Sequence, residues 1–222
     1  MPLPTTLQFL EDLSQHNDKG WFADHKTQYD AARGDFEAFV EELRIALSPF
    51  IPQLAEQRAR DLMFRIYRDV RFSKVKTPYK THFSAYFSRA GRKAVDAGYY
   101  VHYEPGGNCF ISAGMWQPQG KLMKAVRQEI DYSREEIEGI LEDKKFKKLW
   151  GGLEGERLRT VPQGYTAENP AIELLKYKNF IVSHRLPAAQ WAKGDVVKKI
   201  VELCATARPL VDFLNRAEVD EA

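Results

Sequence analysis

Tyr99–Met115 reads YYVHYEPGGNCFISAGM, and this stretch decides the fold class. Tyr99, Val101 and Tyr103 alternate with Tyr100, His102 and Glu104. That is the two-residue period of a strand with distinct faces. Pro105-Gly106-Gly107-Asn108 supplies a turn whose glycines tolerate positive φ. Cys109–Met115 returns as a second apolar strand, so the stretch predicts an antiparallel hairpin. Upstream, Phe83, Ala85 and Phe87 alternate with Ser84, Tyr86 and Ser88, which predicts a neighbouring strand. Leu62–Tyr67 alternates as well and is expected to begin the sheet, with Arg65 and Tyr67 opposite the core. Phe180-Ile181-Val182 predicts one more strand. An antiparallel sheet can leave one face to water. In this chain that face is expected to carry Arg65, Tyr67, Tyr100, His102 and Glu104.

Helical periodicity flanks these strands. Leu7, Leu10 and Leu13 mark a short helix started by Thr5 or Thr6. Asn17 or Asp18 caps a second, which carries Trp21, His25 and Tyr29 at four-residue spacing. Gly34 is expected to break the helical run, and Phe36, Phe39, Val40, Leu43 and Leu47 form an apolar stripe beyond it. Later, Leu122, Val126 and Ile130 mark a helix from Gly120. Ser133 to Glu136 reads as a capping box opening one helix with acids first and lysines last. Asn169-Pro170 starts a short helix through Lys176. Asp195 precedes a long apolar one. The expected architecture is α+β: a largely antiparallel sheet with N- and C-terminal helices packed on one face. It forms a single domain over 1–216 with an acidic tail at 217–222.

The chain of 222 residues is 44% hydrophobic and 29% charged, the balance of an ordinary globule. No apolar run reaches the roughly 20 residues that span a bilayer, and no secretory signal is visible at Met1–Thr5. Cys109 and Cys204 have no metal-like spacing and read as buried free thiols, which suits the reducing cytoplasm.

The net charge of +2 conceals a strong polarity. Arg65, Arg68, Arg71, Lys74, Lys76, Lys80, Arg89, Arg92 and Lys93 stand against Asp69 alone between residues 64 and 93, a local +8 that leaves −6 elsewhere. Like charges repel, so such a run favours an anion nearby, although water can also solvate it. Arginine forks suit carboxylate and phosphate. The loop Ser73–Lys80 brings three lysines and the two aliphatic hydroxyls of Ser73 and Thr77. Arg65, Arg68, Arg71, Lys74, Lys76, Tyr79 and Lys80 are therefore the candidate ligand-binding residues, for a phosphate-bearing small molecule. Tyr67, Phe72, Tyr79, Tyr86 and Tyr100 among the cations also suit single-stranded nucleic acid, and docking of an acidic protein partner is a third possibility. No membrane partner is expected.

No catalytic residue or cofactor can be assigned: there is no Walker loop, G-x-G-x-x-G, G-x-S-x-G or H-E-x-x-H. His102 and Glu104 share a strand face and could hold a divalent metal or act as base and orienter. Strand neighbours two apart share a face in any case, so no metal site is assigned. Asp69 reads as a charge partner for its arginines.

The run Phe72-Ser73-Lys74-Val75-Lys76-Thr77-Pro78-Tyr79-Lys80, preceded by Phe64-Arg65-Ile66-Tyr67-Arg68-Asp69-Val70-Arg71, resembles the signature of the domain of unknown function 2461 family. Phe9-Leu10, Asn17, Trp21-Phe22, Gly98–His102, Glu104–Gly107, Gly114-Met115-Trp116 and Asn169-Pro170 before Glu173–Lys176 extend the resemblance over most of the chain. Asn169 departs from the pattern, where a His is expected, as does Val75, where an Asp is common. The resemblance implies the extent of the domain and no established activity.

Overall fold

The computed structural model describes residues 4–71, 73–93, 95–191 and 193–217. Phe72, and the expected acidic tail beyond Ala217, lie outside the described residues. Helices α1 (Pro4–Gln15), α2 (Lys19–Asp24), α3 (Lys26–Leu47) and α4 (Ala59–Leu62) precede strands β1 (Phe83–Phe87), β2 (Gly98–Tyr103) and β3 (Phe110–Met115). Then come α5 (Gly120–Tyr132), α6 (Arg134–Glu142), α7 (Lys144–Trp150), α8 (Ile172–Leu175), β4 (Phe180–Arg185), α9 (Ala188–Trp191) and α10 (Val196–Leu214). The strands form one antiparallel sheet in the order β1-β2-β3-β4. The fold is α+β, and the hairpin read from Tyr99–Met115 is present as β2 and β3. No helix among the described residues is long and apolar enough to cross a membrane.

Two compact units emerge. The first takes the described residues of 1–92, 100–111 and 185–202, and the second those of 93–99, 112–184 and 203–222. In the first, α3 is the organising helix. Gly34 does not interrupt it, because cooperative packing of Ala32, Phe36, Phe39, Val40, Leu43 and Leu47, all fully buried, outweighs the roughly 1 kcal/mol a helical glycine costs. Thr6 does not cap α1; it lies inside that helix and donates its hydroxyl to Ala32 O at 3.0 Å. Asp18 caps α2 as expected, accepting from Trp21 N. Phe36 stacks on Phe83 of β1 at 5.4 Å and lies 6.4 Å from Tyr103 of β2. One sheet face therefore belongs to α3.

Of the five residues expected on the solvated face, Arg65 and Tyr67 are exposed, but Tyr100 and Glu104 are half-buried and His102 is buried. Ser84 is 3% and His102 9% exposed, with the Phe64 ring against Tyr100 and the Phe110 ring against both Tyr100 and His102. The expected strand at Leu62–Tyr67 is also corrected. Leu62 ends α4, and only isolated antiparallel bridges follow, Met63 to Ala85 and Tyr67 to Tyr79. Three residues lie between Met63 and Tyr67, but five lie between Tyr79 and Ala85. The two surplus residues fall around Lys80–His82 as a bulge, which breaks the ladder and re-aims side chains.

In the second unit the expected capping box does not form. Ser133 Oγ bonds Glu129, Glu136 pairs with Arg216, and the single expected helix is two, α6 and α7, with Asp143 capping the second through Lys145 N and Phe146 N. The short helix α8 does not begin at Asn169-Pro170: it starts at Ile172 with Ala171 at its N-cap, and Asn169 shapes the turn before it, accepting from Ala171 N while donating to Asp131. Gly114 of β3 has φ 123°, and a Cβ there would meet Phe180 O at 2.0 Å, so only glycine allows this approach of β3 to β4. Cys109 and Cys204 are each buried and free, as expected.

Candidate functional site

The bulge turns His82 towards the sheet face that β2 furnishes with Tyr100 and His102, with Glu104 just past the strand end. The His82 and His102 rings lie 4.1 Å apart. His102 stacks on Phe110 at 4.6 Å. Its Nδ1 lies 3.0 Å from Tyr100 Oη, and its Nε2 lies 3.4 Å from Glu104 Oε2. Thr81 donates its hydroxyl to Glu104 Oε1 at 2.8 Å. Each of His82, His102 and Glu104 offers one ligand atom, and these atoms all lie within 4.8 Å of one another.

Burial pushes both imidazoles below the ordinary histidine value. Burial, reinforced by His102, Lys80 and Arg68, pushes His82 down to about 3. Burial also lowers His102, against the opposing pull of Glu104. Burial, Arg65 and Arg92 together lower Lys80. Burial raises Tyr100, partly offset by its hydrogen bond with Ser84.

The basic segment folds back on itself. Arg68 N donates to Pro78 O at 2.9 Å and Lys80 N to Ile66 O at 2.8 Å, so residues 66–68 run antiparallel to 78–80 around a loop. This geometry sorts the seven candidates. Lys80 Nζ sits 5.5 Å from the Phe64 ring centre and the Arg92 guanidinium 5.3 Å from it, while Arg65 is near enough to depress Lys80. Arg68 donates to Thr77 Oγ1 at 2.6 Å and Ser73 Oγ at 3.4 Å, within electrostatic reach of His82. Arg71 instead closes on Asp69 through two bonds of 3.0 and 2.6 Å, which holds that carboxyl below its usual range. Lys76 donates to Val70 O, and Lys74 is exposed. Tyr79 is buried, stacked on Phe22 at 4.0 Å.

Thus Lys80 and Arg68 lie within electrostatic reach of His82 and Arg65 within reach of Lys80, while Arg71 and Lys76 are engaged within their own loop and Tyr79 serves the packing. Sequence reasoning missed His82, Thr81 and Arg92 as members. His82 does precede Ser84 and Tyr86 at strand period, and that alternation was the available signal. A shallow surface depression of about 580 Å³ lies elsewhere, lined by Glu37, Glu41, Arg44, Gln57, Arg58 and Arg60. Its charges largely answer their own neighbours, Arg44 to Glu41 and Arg58 to Asp61, so it makes a poorer site.

No match is found among curated proteins or among solved structures. The family model described as "Conserved hypothetical protein (DUF2461)" matches residues 5–213, which span the bulge, the histidine cluster and its cationic rim, and the chain belongs to that family.

Proposed function

We propose that this protein binds a small phosphate- or carboxylate-bearing ligand above the His82–His102–Glu104 face, with Lys80, Arg65 and Arg68 supplying the charge. One observation carries the reading. Lys80 is half-buried beside Arg65 and Arg92, and among the described residues no carboxylate lies within ion-pairing distance of its ammonium. Burial, with Arg65 and Arg92 as like-charged neighbours, disfavours the charged lysine, and an incoming anion relieves that cost. The arginine forks would orient the ligand, and the neutral imidazoles would accept or donate hydrogen bonds to it.

Calorimetry of the full chain with inorganic phosphate, sugar phosphates, nucleotides and dicarboxylates tests this. Saturable binding by at least one of these compounds, weakened about tenfold or more in Lys80→Ala, is the expected result. A panel with no binder refutes the small-ligand reading. Affinity confined to single-stranded oligonucleotides and falling steeply with salt would assign the same cations to nucleic acid.

A further inference from the structure

We propose that His82, His102 and Glu104 are the protein ligands of a first-row divalent transition-metal ion. The inference goes beyond anion binding and does not depend on it, because it concerns a cation held by a different set of atoms.

Three features of the cluster support it. The first is the donor set. Two imidazoles and one carboxylate are the combination that selects zinc or iron(II) and leaves coordination positions open, whereas magnesium and calcium favour oxygen alone. The second is distance. Donors at about 2.0–2.1 Å on a tetrahedral ion stand about 3.3 Å from each other. His102 Nε2 and Glu104 Oε2 are 3.4 Å apart, the edge of such a tetrahedron. A charge-assisted hydrogen bond between imidazolium and carboxylate would be shorter, about 2.7–2.9 Å. All three ligand atoms lie within 4.8 Å of one another.

The third feature is the outer layer. Ligating histidines characteristically use their second nitrogen to hold a fixed partner, and ligating carboxylates are themselves hydrogen-bonded. Tyr100 Oη meets His102 Nδ1 at 3.0 Å, which leaves Nε2 to face the ion. Thr81 Oγ1 holds Glu104 Oε1 at 2.8 Å, which leaves Oε2 to do the same. The two groups that position the ligands thus act on the atoms that do not ligate. The bulge that displaces His82 from the β1 ladder completes the triad.

Lys80 and Arg68 lie within electrostatic range of His82 and oppose a bare cation there. They stand around the cluster without belonging to it. An anion in the open coordination position would be bridged between metal and rim.

Equilibrium dialysis of chelator-stripped full-length protein against Zn²⁺ and Co²⁺, in a non-coordinating buffer without added phosphate, tests the site. The expected result is close to one ion per chain, with a Co²⁺ visible spectrum of low-coordinate nitrogen and oxygen ligation. His82→Asn and Glu104→Gln should each weaken affinity at least tenfold with unchanged circular dichroism, while Asp69→Asn should leave it as in wild type. His102→Gln is the least informative variant because His102 is buried, so the His82 and Glu104 variants decide. Binding well below one ion per chain, or equal affinity in wild type and the His82→Asn/Glu104→Gln double variant, overturns the proposal. Because no anion is present, failure here leaves the ligand reading of Lys80 standing, and failure of that reading leaves this one standing.

Discussion

Asn17 brackets the backbone of Tyr79. Its Nδ2 donates to Tyr79 O and its Oδ1 accepts from Tyr79 N, both at 3.1 Å, across 62 residues of sequence. One carboxamide thereby satisfies both main-chain groups of a residue at the base of the basic loop. A buried main-chain group left unpaired is costly, so this contact fixes where the loop returns to the sheet.

Asn17→Ala removes both bonds at once and should lower stability by about 1–3 kcal/mol. The loosening should concentrate at residues 66–80. Urea unfolding measures the first effect, and limited proteolysis at the lysines of the loop measures the second. An unchanged cleavage pattern would show that Asn17 does not anchor the loop.

Gly114→Ala should be far more damaging. The added Cβ would fall 2.0 Å from Phe180 O, a backbone atom that cannot rotate away, at a φ that side chains rarely adopt. A loss of at least about 3 kcal/mol, or failure to accumulate as folded protein, is expected. Gly34→Ala is the control: open space surrounds its Cβ position inside α3, and helix propensity should raise stability by up to about 1 kcal/mol.

Arg216 grips Glu136 through bonds of 2.8 and 2.6 Å and reaches Glu129 at 3.0 Å. The guanidinium holds the Glu136 carboxyl below its usual range. A lowered carboxylate contributes stability that is full above its unfolded value and fades as pH falls through its folded one. Arg216→Ala should therefore cost stability at neutral pH and progressively less below about pH 4. The groups are about half exposed, so the neutral-pH loss should be no more than about 1 kcal/mol and should shrink in high salt. Thermal midpoints across pH check the convergence of the two curves.

Burial raises the thiol pKa of both Cys109 and Cys204. Since the thiolate is the reactive form, iodoacetamide at mildly alkaline pH should leave both unmodified in the native protein and alkylate both in denaturant. Mass spectrometry of intact protein distinguishes these states. Prompt native alkylation at either position would contradict the burial described for it.

The sequence alone determined the α+β class, the β2–β3 hairpin and the common face of Tyr100, His102 and Glu104, because strand alternation is a local property with a period of two. It also located the run of positive charge, since charge is carried by residue identity. Tertiary structure decided which charges are paired within the chain and which are set among like charges. Arg71 found Asp69 two residues away, while Lys80 was set among other cations by the return of residues 78–80 along 66–68. It also decided that Leu62–Tyr67 supplies isolated bridges instead of a strand, that Ser133 caps nothing through its side chain, and that His82 joins His102 and Glu104. Each of these depends on register between segments far apart in the chain, and on a bulge that appears only when unequal lengths are paired. No local pattern encodes those lengths against each other.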